Sequence, residues 1–194
     1  MVSMTHRLRN LAVLSGLCAL LLFLPGCPLS PDSDDGGGGG GDTRIPERDS
    51  ISNVVVYLQE VWNQRLYTHY EQLLHDSFEF FPLSGDPDLE WVEGDSWGRS
   101  MELGMVNHMF DPNYSGDEPP VEDISLDLDI LSQREVNDYP GAVEVTCNVN
   151  MEILKDASNG WRVNQKTRLL ILPDPDEAGL LQVIKQWDLD DADG

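Results

Sequence analysis

The chain has 194 residues, 35 of them Asp or Glu against 12 Lys or Arg, for a formal net charge of −23. So acidic a protein is repelled by nucleic-acid phosphates and by anionic headgroups, which excludes binding to either through a basic surface. The length allows one domain of ordinary size plus further segments.

The further segments come first. Met1 to Asn10 carries Arg7 and Arg9 and no acid, and Leu11 to Leu24 (LAVLSGLCALLLFL) is an unbroken run of apolar or small residues. As a helix that run reaches about 21 Å, short of the roughly 30 Å hydrocarbon core of a bilayer. A basic start and a short apolar run form the pattern of a secretory signal peptide, expected over residues 1–26. Leu24-Pro25-Gly26-Cys27 resembles the lipobox of bacterial lipoproteins, with an aliphatic residue, a small residue and then cysteine. That resemblance implies cleavage after Gly26 and acylation of Cys27. Pro25 is an unusual occupant of the middle position, and an ordinary signal peptide with a chance cysteine is the alternative. Two or three acyl chains satisfy the need of stable anchoring for more than one signal. The expected address is therefore the cell envelope, on a bacterial membrane reached through Cys27, the outer membrane being favoured.

Residues 27–48 follow as a tether. Pro28 to Arg48 (PLSPDSDDGGGGGGDTRIPER) offers almost nothing to bury and is expected to stay disordered, with a reach of about 25 Å. Cys18 leaves with the leader and Cys27 is consumed by lipid, so Cys147 has no partner for an internal disulfide and reads as a small buried residue.

From Asp49 to Leu189 the composition turns globular. Ile51, Val54, Val55, Leu58, Val61, Trp62 and Leu66 fall at helical spacing behind Ser50, a suitable N-cap. A short helix is expected from Tyr67 to His75, then a strand from Phe78 to Phe81 and a Pro/Gly/Asp-rich loop from Pro82 to Gly94. Asp95 or Ser96 is placed to cap a third helix, Trp97 to Phe110. Its Trp97, Met101, Met105 and His108 form one face, and Leu103, Val106 and Phe110 another. Thereafter period-two alternation dominates: Ile124, Leu126, Leu128 and Ile130, then Val143, Val145, Cys147, Val149, Met151 and Ile153. Such alternation predicts half-buried antiparallel strands, continued by Trp161 to Leu172 and Gly179 to Leu189. The predicted class is α+β, with three helices ahead of a four-strand meander and an acidic tail at residues 190–194.

This order of elements resembles the nuclear transport factor 2-like superfamily. VVVYLQEVWNQRLYTHYEQLLHDSFEFFP is similar to the family's helix–helix–strand entry, and GWRVNQKTRLLIL with QVIKQWDL to its last two strands. The resemblance implies a cone: helices packed on a curved, mostly antiparallel sheet, with an apolar pocket at the open end and dimers frequent among relatives. Ketosteroid isomerases of this superfamily carry a tyrosine on the first helix and a catalytic aspartate before a proline. Laid without gaps, Tyr57 falls on the tyrosine and Pro82 on the proline, while Phe81 stands at the aspartate's position. By that comparison the general base is missing.

The candidate pocket residues are accordingly Tyr57, Val61, Phe81, Trp97, Met101, Met105 and His108, with His108 and Tyr57 as the available catalytic groups. Against a role for His108 stands a partly buried structural histidine, and against the methionines an ordinary core. His75 and Asp76, as helix neighbours, point about 100° apart and read as a helix end. Asp123, Ser125, Asp127 and Asp129 read as a solvated sheet face, with a metal or dimer role as the alternative. Asp111, Asn113, Ser115 and Glu122 match the spacing of a calcium loop, but Pro119 and Pro120 and the following strand favour a turn. No cofactor is implied. Three functions remain open at this point: non-catalytic binding of a small apolar ligand or a protein partner, a pocket enzyme, and a purely structural envelope domain whose side chains fill the cone.

Overall fold

Ser50 starts the first helix. In the computed structural model, which describes residues 44–83, 94–116, 120–156 and 159–189, its hydroxyl accepts a hydrogen bond from Asn53 N at 3.3 Å. The leader, Cys27, the start of the tether and the acidic tail lie outside the described residues. Helix α1 (Ile51–Asn63) buries Val54, Val55, Tyr57, Leu58, Val61 and Trp62 on one side. It ends three residues before the apolar stripe does. Arg65 N donates to Trp62 O (3.2 Å) and Leu66 N to Val61 O (2.9 Å), a pair of closing bonds that needs a left-handed residue between. Arg65 supplies it with φ 55°, and its guanidinium donates to Val121 O at 2.9 Å.

Helix α2 (Tyr67–Leu73) is shorter than expected, because strand β1 (Leu74–Phe81) begins at once. His75 and Asp76 therefore lie in a strand and not at a helix end. Ser77 N donates to His75 Nδ1 at 3.0 Å, a local turn-like contact. A two-residue strand, β2 (Trp97–Gly98), pairs antiparallel with Phe80 and Glu79 before helix α3 (Arg99–Phe110) starts. Trp97 is thus outside the helix, and Gly98 occupies the N-cap position with no side-chain cap. Among the described residues two strands stand between the second and third helices.

Four long strands follow: β3 (Asp123–Val136), β4 (Ala142–Leu154), β5 (Gly160–Pro173) and β6 (Leu181–Leu189). They form one sheet ordered β2-β1-β6-β5-β4-β3, antiparallel except for the β1–β6 pair. Alternation sends Val145, Cys147, Val149 and Ile153 inward against the helices and leaves Asn148 and Asn150 exposed on the other face. Burial pushes the Cys147 thiol up to about 11, with the Asp129 charge as a lesser cause. The acids Asp123, Asp127 and Asp129 are exposed on the outer face.

Two devices fasten the helices and the segment just before α1 to the sheet. Strand β3 is an edge whose outward backbone groups need partners. Asn63 satisfies both groups of Leu126, donating to its carbonyl (3.0 Å) and accepting from its N–H (2.6 Å), and Gln59 accepts from Leu128 N (3.0 Å). Arg48, 5% exposed, donates to Gln72 O (2.8 Å) and Leu181 O (3.1 Å) and pairs with Asp174 at 3.5 Å. Among the described residues no helix is long and apolar enough to cross a membrane.

Candidate functional site

Between the helices and the inner face of the sheet lies a cavity of about 260 Å³. Helices α1 and α2 contribute Leu58, Trp62 and Tyr70, and the inner faces of β3 to β5 contribute Leu126, Leu128, Val149, Met151 and Val163. Phe80 and Trp97, paired across β1 and β2, stack with ring centroids 4.3 Å apart and form one wall. From α3 come Glu102, Met105 and Met109, whose spacing of three and seven residues places them on one helix face.

Glu102 is the unusual member, an acid only 6% exposed. Tyr70 Oη donates to its Oε1 at 2.7 Å and Trp97 Nε1 to its Oε2 at 2.7 Å. Burial raises its carboxyl pKa above the ordinary glutamate range, and the two hydrogen bonds, which favour the charged form, only partly offset that. Tyr70 is pushed well above the ordinary tyrosine value, first by burial and then by the neighbouring Glu102 charge. Each carboxylate oxygen keeps acceptor capacity beyond its one bond. At the β5–β6 side the cavity meets Gln165, Thr167, Gln186 and Asp188. Thr167 Oγ1 is occupied, donating to Trp187 O at 3.0 Å.

Of the residues expected at a pocket, Trp97 and Met105 line this cavity and the others are elsewhere. Tyr57 packs against α2, its hydroxyl 2.9 Å from His69 Nδ1 and 3.3 Å from His69 O, and Arg48 lies 5.7 Å from its ring centroid. Val61 is fully buried core. Phe81 turns to the outer face and stacks on Trp187 at 5.3 Å, while its neighbour Phe80 points in. Met101 is 46% exposed. His108 is exposed and stacks on Tyr114 at 4.6 Å. The cavity face of α3 is turned by roughly 80° from the stripe of Trp97, Met101, Met105 and His108, at 100° per residue. The reason is that Trp97 is not helical and Glu102 is inward.

His108 instead shares a shallow surface concavity of about 490 Å³ with Tyr67, Asp76, Arg99, Ser100 and Asn107. Arg99 there is committed to structure, donating to Glu71 O (2.8 Å) and Leu74 O (3.2 Å). At the calcium-like stretch, Asp111 Oδ1 accepts from Asn113 N at 2.8 Å, a turn closing the end of α3. Residues 117–119 of that stretch lie outside the described residues. Among the described residues no group of three or more His, Cys, Asp or Glu is placed to hold a metal ion.

The residue missed by sequence reasoning is Glu102, with Tyr70 as its partner. A signal was present. Glu102, Met105, Val106, Met109 and Phe110 fall at helical spacing i, i+3, i+4, i+7, i+8, an acid opening an apolar face.

No protein-family model matches the chain, and no curated protein matches it. Solved structures do. A conserved protein from Planctomyces limnophilus aligns over 71% of this chain and 90% of its own at 9% identity, with a TM-score of 0.54. A nuclear transport factor 2-like protein of unknown function in nutrient uptake from Rhodospirillum rubrum aligns over 72% and 96% at 12% identity, TM-score 0.51. ActVI-ORFA from Streptomyces coelicolor aligns over 73% and 95% at 10% identity, TM-score 0.50. These likenesses identify the fold as nuclear transport factor 2-like, an α+β fold with three helices and a mostly antiparallel sheet.

Proposed function

We propose that this domain is a receptor for a small, predominantly apolar molecule with one polar group directed at Glu102, and that lipidated Cys27 holds it at a bacterial membrane. The observation carrying the first half is the 260 Å³ cavity with a single deeply buried acid in its wall. A cavity of about 150 Å³ with apolar walls suffices for benzene, so this one has room for roughly ten non-hydrogen atoms. Its presence counts against a purely structural domain, for which side chains would fill that space. The test is native mass spectrometry of the protein purified from its own host, beside Val163→Trp, which fills the cavity. Retained small-molecule mass in the wild type and its loss in the variant are expected. Identical empty spectra, with no apolar probe raising the melting temperature of either protein, would falsify the receptor reading. For the anchor, Cys27→Ala is expected to move the protein from the membrane to the soluble fraction. A variant still sedimenting with membranes contradicts it.

A second reading, acid–base catalysis in the same cavity, is favoured by one observation. Glu102 and Tyr70 converge there, and burial lifts the pKa of both. A carboxyl group tuned upward in an apolar wall suits proton transfer. The groups are Glu102 and Tyr70 in this reading, because His108 and Tyr57 lie outside the cavity. Deuterium incorporation into a bound molecule in heavy water separates the two readings. Binding alone leaves the molecule undeuterated.

A further inference from the structure

We infer that the molecule held in this cavity is an organic cation, an ammonium group on an apolar body, with its charged head between Glu102 and the aromatic walls. The inference rests on the receptor reading and adds the charge of the ligand. Four aromatic residues, Trp62, Tyr70, Phe80 and Trp97, line one cavity together with two acids, Glu102 and Asp188. None of the described lining residues is Lys, Arg or His. Aromatic faces attract ammonium groups, most strongly when desolvated, and aromatic cages are a recurring means of holding them.

The hydrogen-bond direction around Glu102 points the same way. The indole N–H of Trp97 and the hydroxyl of Tyr70 are both spent on its carboxylate. What Glu102 presents to the cavity is acceptor capacity, and an acceptor calls for a donor or a positive charge. An anionic ligand would meet the buried Glu102 with no basic side chain among the described lining residues beside it. A neutral hydrocarbon would fill the volume but leave a buried carboxylate without a counter-charge, which is costly. The formal net charge of −23 adds a long-range attraction for cations that raises their encounter rate.

The experiment is a charge series at nearly constant size on the full chain: 3-phenylpropylammonium, 3-phenylpropan-1-ol and 3-phenylpropanoate. Binding is followed by the fluorescence change of Trp62 and Trp97, which line the cavity. The ammonium is expected to bind about tenfold or more tightly than the alcohol, and the carboxylate more weakly than either. That preference should persist in about 1 M salt, where the Debye length falls to about 3 Å and attraction to a distant acidic surface is lost. Glu102→Gln, with its fold checked by circular dichroism, should bring the ammonium and alcohol affinities together. The alcohol binding as tightly as the ammonium overturns the cation inference and leaves the receptor reading standing. A preference that vanishes in high salt overturns it equally, as surface attraction. Absence of binding by all three overturns both. If Glu102→Gln does not fold, the series and its salt dependence on the wild type still decide.

Discussion

The two faces of the sheet treat a carboxylate in opposite ways. On the outer face Glu152 meets Arg162 at 2.6 Å, with the arginine side chain 82% exposed. On the inner side Glu102 meets two neutral donors among the described residues, each at 2.7 Å, and is almost sealed from water. By distance and charge the outer pair is the stronger. By solvent it is the weaker, because water already satisfies both ions and little is gained by joining them. Glu102 is only 6% exposed, so bulk water competes far less and each bond to it carries much of the cost of leaving a buried acceptor unmet. Exposure, more than separation, therefore ranks the polar contacts of this protein, and substitutions can test that ranking in order.

The largest effect is expected at Arg48→Ala. It removes the counter-charge of Asp174, whose side chain is 2% exposed, and the bonds that hold residue 48 to Gln72 and Leu181. Breaking a buried pair from one side costs about 3–5 kcal/mol, read as a fall in the urea midpoint at unchanged slope. A loss below about 1 kcal/mol would place this pair with the surface ones and break the ranking. Next comes Tyr70→Phe, expected to cost about 1–3 kcal/mol because buried Glu102 Oε1 loses the Tyr70 hydroxyl that donates to it. It should also raise the Glu102 pKa further, since the Tyr70 bond holds it down. A carboxyl carbon shift followed by NMR against pH checks the direction.

A smaller, pH-dependent effect follows from the same acid. The folded pKa of Glu102 lies above its ordinary value of 4.5, so between that value and the folded pKa the native chain keeps a proton that the unfolded chain releases. The stability this confers is complete below pH 4.5 and is lost as pH rises through the folded pKa. Glu102→Gln cannot titrate. The stability of wild type minus variant should therefore fall as pH rises across the window, and a difference that stays flat or climbs would contradict the upward shift.

The sequence made the framework legible and hid the site, for one physical reason each. Alternation such as Val145, Cys147 and Val149 against Thr146, Asn148 and Asn150 reports a face directly, because a strand has only two. A helix has a continuum of directions, and the apolar residues of α3 alone do not fix which of them faces the sheet. Glu102 looks solvent-facing in that count, yet Tyr70 and Trp97 make its burial tolerable. Both partners are far from obvious: Tyr70 is 32 positions away, and Trp97 reaches Glu102 only because β2 pairs with β1. FEFFP shows the other difficulty. A shift of one residue in a strand exchanges faces, so Phe80 lines the cavity and Phe81 stacks outside on Trp187. Laid without gaps on the isomerase pattern, Phe81 stands where a catalytic base would be. The buried carboxyl of the cavity comes from α3 instead.

The smallest effect belongs to the shortest ion pair among the described residues. Arg162 also donates from Nε to the same Glu152 oxygen at 2.7 Å, so the geometry is good and only exposure argues against its importance. A double-mutant cycle of Arg162→Gln and Glu152→Gln isolates the pair from the strand preferences of either residue. The coupling is expected to lie below about 1 kcal/mol and to shrink further in high salt. A coupling above about 2 kcal/mol would mean that the outer face is shielded from water in solution. That outcome would point to a covering partner on the sheet, since an exposed Arg162 and a partly exposed Glu152 cannot couple so strongly while water reaches them.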